Sequence, residues 1–414
     1  MRPSRRPLRL LVALAVLVVT LLAAAPASAA PGDWWQFGYT AANTRSNPNE
    51  TTIGPANVGR LAVGARQAPT LGGRNAAHAS AVAVANGHAY VQVGDYESGS
   101  DALLAYDPAS FGSPARWQQP SGCGSTSPTV HLGIVFVGSI ACRPSGDDGG
   151  VRALDGATGQ LLWYSHSLGI GEGAEDAGNV AATDGAVYVS IYANAAYGGD
   201  NALLSLDART GAVRWQVAGV FGDPAVAGGR VLVGAGGQLQ ARSAATGALL
   251  WSRPGDPGWG SPTVTGGVVY ALGTENGAPR LFARRADNGA LRWRRALGGQ
   301  LTGAWLAVAG GRVLATTSAG ISALDAATGA PRWSVAVAGA SSPAVANGLV
   351  YAGLGQGIGA WRMSDGVRRW RTGTLGYGAP VVSGGRVYAS ATALVGGEPV
   401  TYVDQFTLGP AGPA

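Results

Sequence analysis

Seven of the twelve tryptophans, Trp117, Trp163, Trp215, Trp251, Trp293, Trp333 and Trp370, follow one another at intervals of 36 to 52 residues, about 42 on average. Each ends a variant of one phrase: "LDAATGAPRW" from Leu324, "LDGATGQLLW" from Leu154, "LDARTGAVRW" from Leu206. A second segment alternates with it, as in "SPTVTGGVVYALG" from Ser261, "SPAVANGLVYAGLG" from Ser342 and "APVVSGGRVYAS" from Ala379. A period of 40 to 45 residues with this strand-like composition is that of a four-stranded propeller blade.

Both segments have a physical task. Gly-Gly or Asn-Gly between two short β-branched runs is the strongest local signal for a hairpin. Such hairpins are expected near Asn86, Leu132, Asp184, Gly228, Gly266, Gly310, Asn347 and Gly384. In the tryptophan phrase, Asp325 is placed to accept hydrogen bonds from nearby amides, and Gly329 supplies a left-handed turn position. The small residues before each Pro-x-Val suit innermost strands crowded around an axis. The seven repeat tryptophans, at the outermost strand, suit burial between neighbouring blades. They are read as structural.

Eight hairpins are followed by only seven outer strands, because the chain ends after "TYVDQF" (Thr401 to Phe406). The eighth must come from the front, and "NVGRLAVGA" (Asn57 to Ala65) is placed to supply it, leaving no open sheet edge. The fold class is therefore all-β: an eight-bladed β-propeller of four-stranded antiparallel blades, closed by an N-terminal outer strand. Ala65 falls at the tryptophan position of that strand, so this seam is expected to be the least tightly packed joint.

The first 29 residues set localisation and correct the charge. The first nine residues hold four arginines (Arg2, Arg5, Arg6 and Arg9), and the apolar run that follows, "LLVALAVLVVTLLAAAPASA", ends in Ala27-Ser28-Ala29 and reads as part of a cleaved signal peptide of the general secretory or twin-arginine route. Residues 30–56 form a lead-in segment, 57–407 the propeller and 408–414 a tail. The formal charge of +6 then falls to about +2 in the mature chain, which removes the argument for a basic, nucleic-acid-binding protein. All 29 basic residues are arginine, which excludes Schiff-base lysine chemistry and a phosphate-loop lysine. A secreted or cell-envelope monomer is expected, with no nucleic-acid partner and no membrane anchor in the mature chain.

The phrase Ala-x-Asp-x-x-Thr-Gly-x-x-x-Trp, complete at Ala153 to Trp163 and Ala323 to Trp333, resembles the repeat of pyrroloquinoline-quinone (PQQ)-type propellers. Ser205 to Trp215, Ala241 to Trp251, Ala283 to Trp293 and Ala360 to Trp370 are partial copies, and Ala105 to Trp117 carries two extra residues. The segment "DWWQFGYTAANTRSNPNETTIGPANVGRL" is similar to the opening of the same proteins. The resemblance implies two functional classes: quinoprotein dehydrogenases, with PQQ and calcium on the propeller axis, and non-enzymatic propellers such as outer-membrane assembly factors. Fold alone does not choose between them.

The residues favour the second class. Many dehydrogenases of the family cover the quinone with a disulfide between adjacent cysteines, whereas Cys123 and Cys142 stand nineteen apart. No loop has the acid spacing of an EF-hand. Should the chain be an enzyme, the catalytic candidates are Asp176 and Asp223, with His78, Asn179, Trp259 and Trp305 as residues for the cofactor. Asp95, Asp147, Asp148 and Glu172 are the calcium candidates. The four histidines (His78, His88, His131, His166) show no metal spacing. Nine arginines of the second half, among them Arg280, Arg294 and Arg368, are placed on the solvent side of outer strands, where charge discourages edge pairing. The reading is a secreted, non-catalytic scaffold that binds an unidentified protein or a cell-surface polymer and holds no cofactor. A small PQQ- and calcium-dependent alcohol or sugar dehydrogenase and a purely structural envelope protein are the alternatives. Finally, the hairpin at Leu132 pairs residues whose numbers sum to about 265, which sets Cys123 opposite Cys142 and predicts a disulfide.

Overall fold

The computed structural model describes residues 32–410 except 96–98, 125, 143–146, 167–174, 194–200, 221, 236, 255–260 and 304–305. The chain forms an eight-bladed β-propeller. Blade 5 shows the plan: Thr263–Thr265 is innermost, followed outward by Val268–Glu275, Ala278–Arg285 and Leu291–Ala296, all antiparallel. All eight hairpins between the first and second strands turn through left-handed residues at the expected positions, with φ from 42° at Asn347 to 57° at Gly384.

The tryptophan phrase builds the joints between blades. In blade 2, Asp155 Oδ1 accepts from the amides of Ala157 (3.1 Å) and Thr158 (2.9 Å) and from the Thr158 hydroxyl (2.8 Å). That turn presents the backbone oxygen of Gly156 to blade 1, where Trp117 Nε1 (3.2 Å) and Tyr90 OH (3.0 Å) both donate to it. Trp215 with Tyr188 does the same to Ala244, and Trp293 with Tyr270 to Ala326. The turn glycine then lies flat on the indole of the preceding blade. A Cβ at Gly329 would sit 2.5 Å from Trp293 Cε3, and one at Gly211 2.7 Å from Trp163 Cε3. At six of the joints the phrase thus couples a blade to the next through one indole, one carbonyl and one glycine.

The ring closes as expected. Leu61–Gln67 pairs antiparallel with Glu398–Leu408, and Ala65 stands opposite Gln405, the register that a tryptophan occupies opposite Ala283 in blade 5. The expectation of a loose joint here is corrected. Gln405 Nε2 donates to Pro108 O (2.7 Å), the carbonyl equivalent to those that receive the indoles elsewhere. Phe111, only 2% exposed, fills the space and packs edge-on against Tyr388 at 5.4 Å. Arg66 makes a two-pronged ion pair with the buried Asp404, at 2.6 and 2.7 Å. The tryptophan is replaced by an amide from the last strand and a phenylalanine that follows the short 3-10 turn Pro108–Ser110 of blade 1.

Residues 34–47, read from sequence as a lead-in, are woven into the ring. Trp34 exchanges both backbone hydrogen bonds with Val84 of blade 1 (2.8 Å each), and Trp35 O accepts from Val130 of blade 2 (2.6 Å). The Gln36 side chain meets both backbone groups of Ala182 in blade 3. Ala41, Ala42, Thr44 and Arg45 then offer carbonyls to Val226, Val264, Val308 and Val345 of blades 4 to 7, at 2.6 to 2.9 Å. Asn47 Nδ2 completes the circuit on Val382 O of blade 8 (2.9 Å). One short segment therefore satisfies a backbone group on the middle residue of every innermost strand.

The cysteine register also differs from expectation. Thr129–His131 pairs with Ile134–Phe136 as expected, but Cys123 stands opposite Ile140, two residues short of Cys142. Gly122 (φ 78°) and Gly124 (φ 92°) leave the extended conformation on either side of Cys123, which shifts the pairing. The Cys142 side chain lies outside the described residues.

Candidate functional site

Among the described residues, the second strands end on one face of the ring. There the innermost strands begin, and they begin with small polar residues. Ser80, Ser127, Asn179, Ser342 and, from second strands, Thr316 and Ser390 surround an axial cavity of about 370 Å³ whose floor includes Phe37 of the N-terminal segment. Sequence reasoning missed this floor, because nothing in "DWWQFGYT" marks which residue turns into the axis.

Two of the residues singled out from sequence meet at the rim. Asn179 donates its backbone N–H (3.1 Å) and Nδ2 (2.8 Å) to the two oxygens of Asp223, and its Oδ1 accepts from the Ser127 amide (3.1 Å). Burial raises the Asp223 carboxyl above the usual carboxylate range, and the hydrogen bonds from Asn179 oppose that rise. Asp176 lies on the neighbouring blade, in the strand Glu175–Ala177 and opposite Tyr192.

His78 stands beside Ala79, which lines the cavity, but its own side chain faces Asp101, with Nε2 3.8 Å from Oδ1. Gly94 makes room for this pair, since a Cβ there would fall 2.4 Å from His78 Cε1. Burial lowers the pKa of His78, against an opposing effect of Asp95. Asp95 itself is buried and lies 3.8 Å from Arg74. Asp147 and Asp148 belong to the strand Asp147–Asp155, but their side chains lie outside the described residues, as do Glu172, Trp259 and Trp305. Among the described residues no three His, Cys, Asp or Glu side chains come together as a metal site.

The chemistry of this donor set can be compared with what PQQ asks of a protein. The cofactor carries three carboxylates beside its quinone, so a site must bring cations, and a calcium needs carboxylate and amide oxygens. None of the residues described around the axial cavity is ionisable. Asp223, bonded to the lining residue Asn179, adds negative charge. The described lining does not fit a bound tricarboxylate.

Six of the nine arginines of the second half lie on outer strands as expected, whereas Arg280, Arg284 and Arg285 belong to the third strand of blade 5, where Arg280 and Arg284 are half-buried. In Leu291–Ala296 only Trp293 is buried. Arg280 and Arg294 both pair with Glu275, and Arg295 donates to Gly329 O (3.0 Å) on the next blade. No described helix is long and apolar enough to cross a membrane.

Comparison with known proteins agrees with this architecture. No curated protein sequence matches the chain. Among solved structures, a quinohemoprotein alcohol dehydrogenase from Comamonas testosteroni superposes with a TM-score of 0.71 at 16% identity, covering 93% of this chain and 82% of that one. A europium-containing methanol dehydrogenase gives 0.69 at 14% identity, covering 92% and 98%. BamB from Moraxella catarrhalis gives 0.62 at 18% identity, covering 86% and 99%. At these identities the likeness is one of fold, and it spans enzymes and an assembly factor alike. The model of the PQQ_2 family, described as outer membrane protein assembly factor BamB, matches residues 56–189, 147–258 and 254–396. Matched over most of its length and built from the repeat that defines the blades, the chain belongs to this family of PQQ-type β-propellers.

Proposed function

We propose that the protein is an exported, non-catalytic propeller that serves as a binding or assembly scaffold for a protein or a cell-surface polymer. The observation that carries this reading is the axial cavity: its described lining is made of neutral residues, mostly small, with no cation for a tricarboxylate cofactor. The family description and the BamB structure support a role in assembly. Export follows from the leader-like residues 1–29, and in an oxidising compartment Cys123 and Cys142 would form a disulfide.

A quinoprotein dehydrogenase is the second reading. It is favoured by the raised pKa of Asp223, which is bonded to the cavity residue Asn179, since a carboxylate poised above its usual range suits a general base. Affinity capture with the mature protein on envelope fractions of the secreting cell tests the scaffold reading. A partner retained in near-stoichiometric amount, and competed by soluble mature protein, is the expected result. Recovery of no partner from envelope or medium would count against it.

A further inference from the structure

On the face opposite the axial mouth lies a second cavity, of about 420 Å³. Its origin is the path of the N-terminal segment. Residues 34–36 serve blades 1 to 3, the chain then turns up to the axis at Phe37, and it returns at Ala41 to serve blade 4. The space left beneath that excursion is bounded by Trp35, Val130, Val226 and the hairpins of blades 1 and 2, at Asn86 and at His131–Leu132.

Two features set this recess apart. Of the eight hairpins, seven turn through Asn, Asp or Gly, the residues that tolerate a left-handed backbone. Blade 2 instead places Leu132 there, at φ 55°. A leucine is disfavoured in that conformation and does nothing for the turn. Its half-buried side chain lines the cavity instead of joining the core, and strain of this kind is retained where a site needs the side chain. The second feature is charge: apart from His131, no lining residue is ionisable. Burial lowers the pKa of His131, which favours the neutral ring. Its Nε2 accepts from the Gly185 amide (3.4 Å), which leaves the proton on Nδ1 as a donor.

We propose that this cavity binds an uncharged, flat aromatic small molecule, gripped between Trp35 and Leu132 and oriented by a hydrogen bond from His131. The volume is at the lower end of small-molecule sites, which suits one or two fused rings. Trp35, which lines the cavity, packs against Tyr39 with ring centroids 5.1 Å apart. Ionised ligands would meet no opposite charge.

The probe is quinoline, neutral at pH 7.5 and carrying one ring acceptor, compared with quinoline-4-carboxylate and N-methylquinolinium by ligand-observed NMR and calorimetry on the mature chain. Saturable binding of quinoline is expected, with both charged analogues about tenfold weaker or worse. Leu132→Gly should weaken quinoline about tenfold while leaving the melting temperature equal or higher, because it relieves the left-handed leucine. Absence of saturable quinoline binding would overturn the proposal. So would binding unchanged by Leu132→Gly, or a lower melting temperature in that variant, since Leu132 would then be a structural residue.

Discussion

Replacing Gly329 by alanine places a methyl group 2.5 Å from Trp293 Cε3 on a residue whose φ is 71°. The backbone conformation alone costs an L-residue about 1–2 kcal/mol. The indole cannot retreat, because its Nε1 is tied to Ala326 O at 3.0 Å and its ring is held at 6.0 Å from Tyr270. Overpacking of such a site adds about 1–3 kcal/mol, so the expected loss is about 2–5 kcal/mol. The seam supplies an internal control. Gly112 carries no left-handed φ, and a Cβ there would meet Ala65 Cβ at 3.7 Å, an ordinary contact. Gly112→Ala should therefore be neutral or stabilising by up to about 1 kcal/mol, through a more restricted unfolded chain. Urea unfolding followed by tryptophan emission compares the two variants with the parent. A Gly329→Ala midpoint equal to that of the parent, or an equal shift in both variants, would refute the indole-on-glycine account of the joints.

Gln405→Leu should cost about 1–3 kcal/mol by leaving Pro108 O without its donor at the seam, read in the same urea experiment; no change would mean that Phe111 closes the joint unaided. Acid titration should show a transition tied to the blade turns. Asp207 and Asp325 are held at a pKa of about 2 first by Arg214 and Arg332. Carboxyls depressed in the folded state contribute stability above their unfolded value near 3.8 and lose it as pH falls toward 2. Melting temperature should thus hold down to about pH 4 and fall below it, less steeply in Asp207→Asn with Asp325→Asn; an unchanged slope in that double variant contradicts the assignment. In protein recovered from the envelope or medium, Cys123 and Cys142 should resist thiol reagents after denaturation without reductant, and two titratable thiols would exclude the disulfide.

The blade is legible in the sequence because each of its parts is local. Asp325, Thr328 and Gly329 make their turn within five residues, Gly310 and Gly384 make their hairpins within four, and Trp333 sits at a fixed distance from both. The closing strand was found by counting, and Ala65 by aligning it with the repeat tryptophans. The seam's repair was not visible, since Gln405 and Phe111 lie far from Ala65 in the chain and follow no period. The circuit of residues 34–47 was hidden for a related reason. Its bonds run from backbone to backbone, and a backbone group has no letter. At the candidate site, Asn179 and Asp223 were found as polar residues beside innermost strands, but their mutual hydrogen bonds depend on the angle between adjacent blades. The Cys123 pairing slipped by two residues because Gly122 and Gly124 are free to leave the ladder, a choice that spacing alone does not reveal.

Isothermal titration of the mature protein with PQQ in the presence of calcium, read together with dye-linked turnover of alcohols and sugars, tests the scaffold reading most directly. The neutral axial cavity predicts no saturable PQQ binding at micromolar concentration and no dye reduction above the protein-free blank. Sub-micromolar binding with turnover, abolished by Asp223→Ala or Asp176→Ala, would contradict it and place the protein among the dehydrogenases.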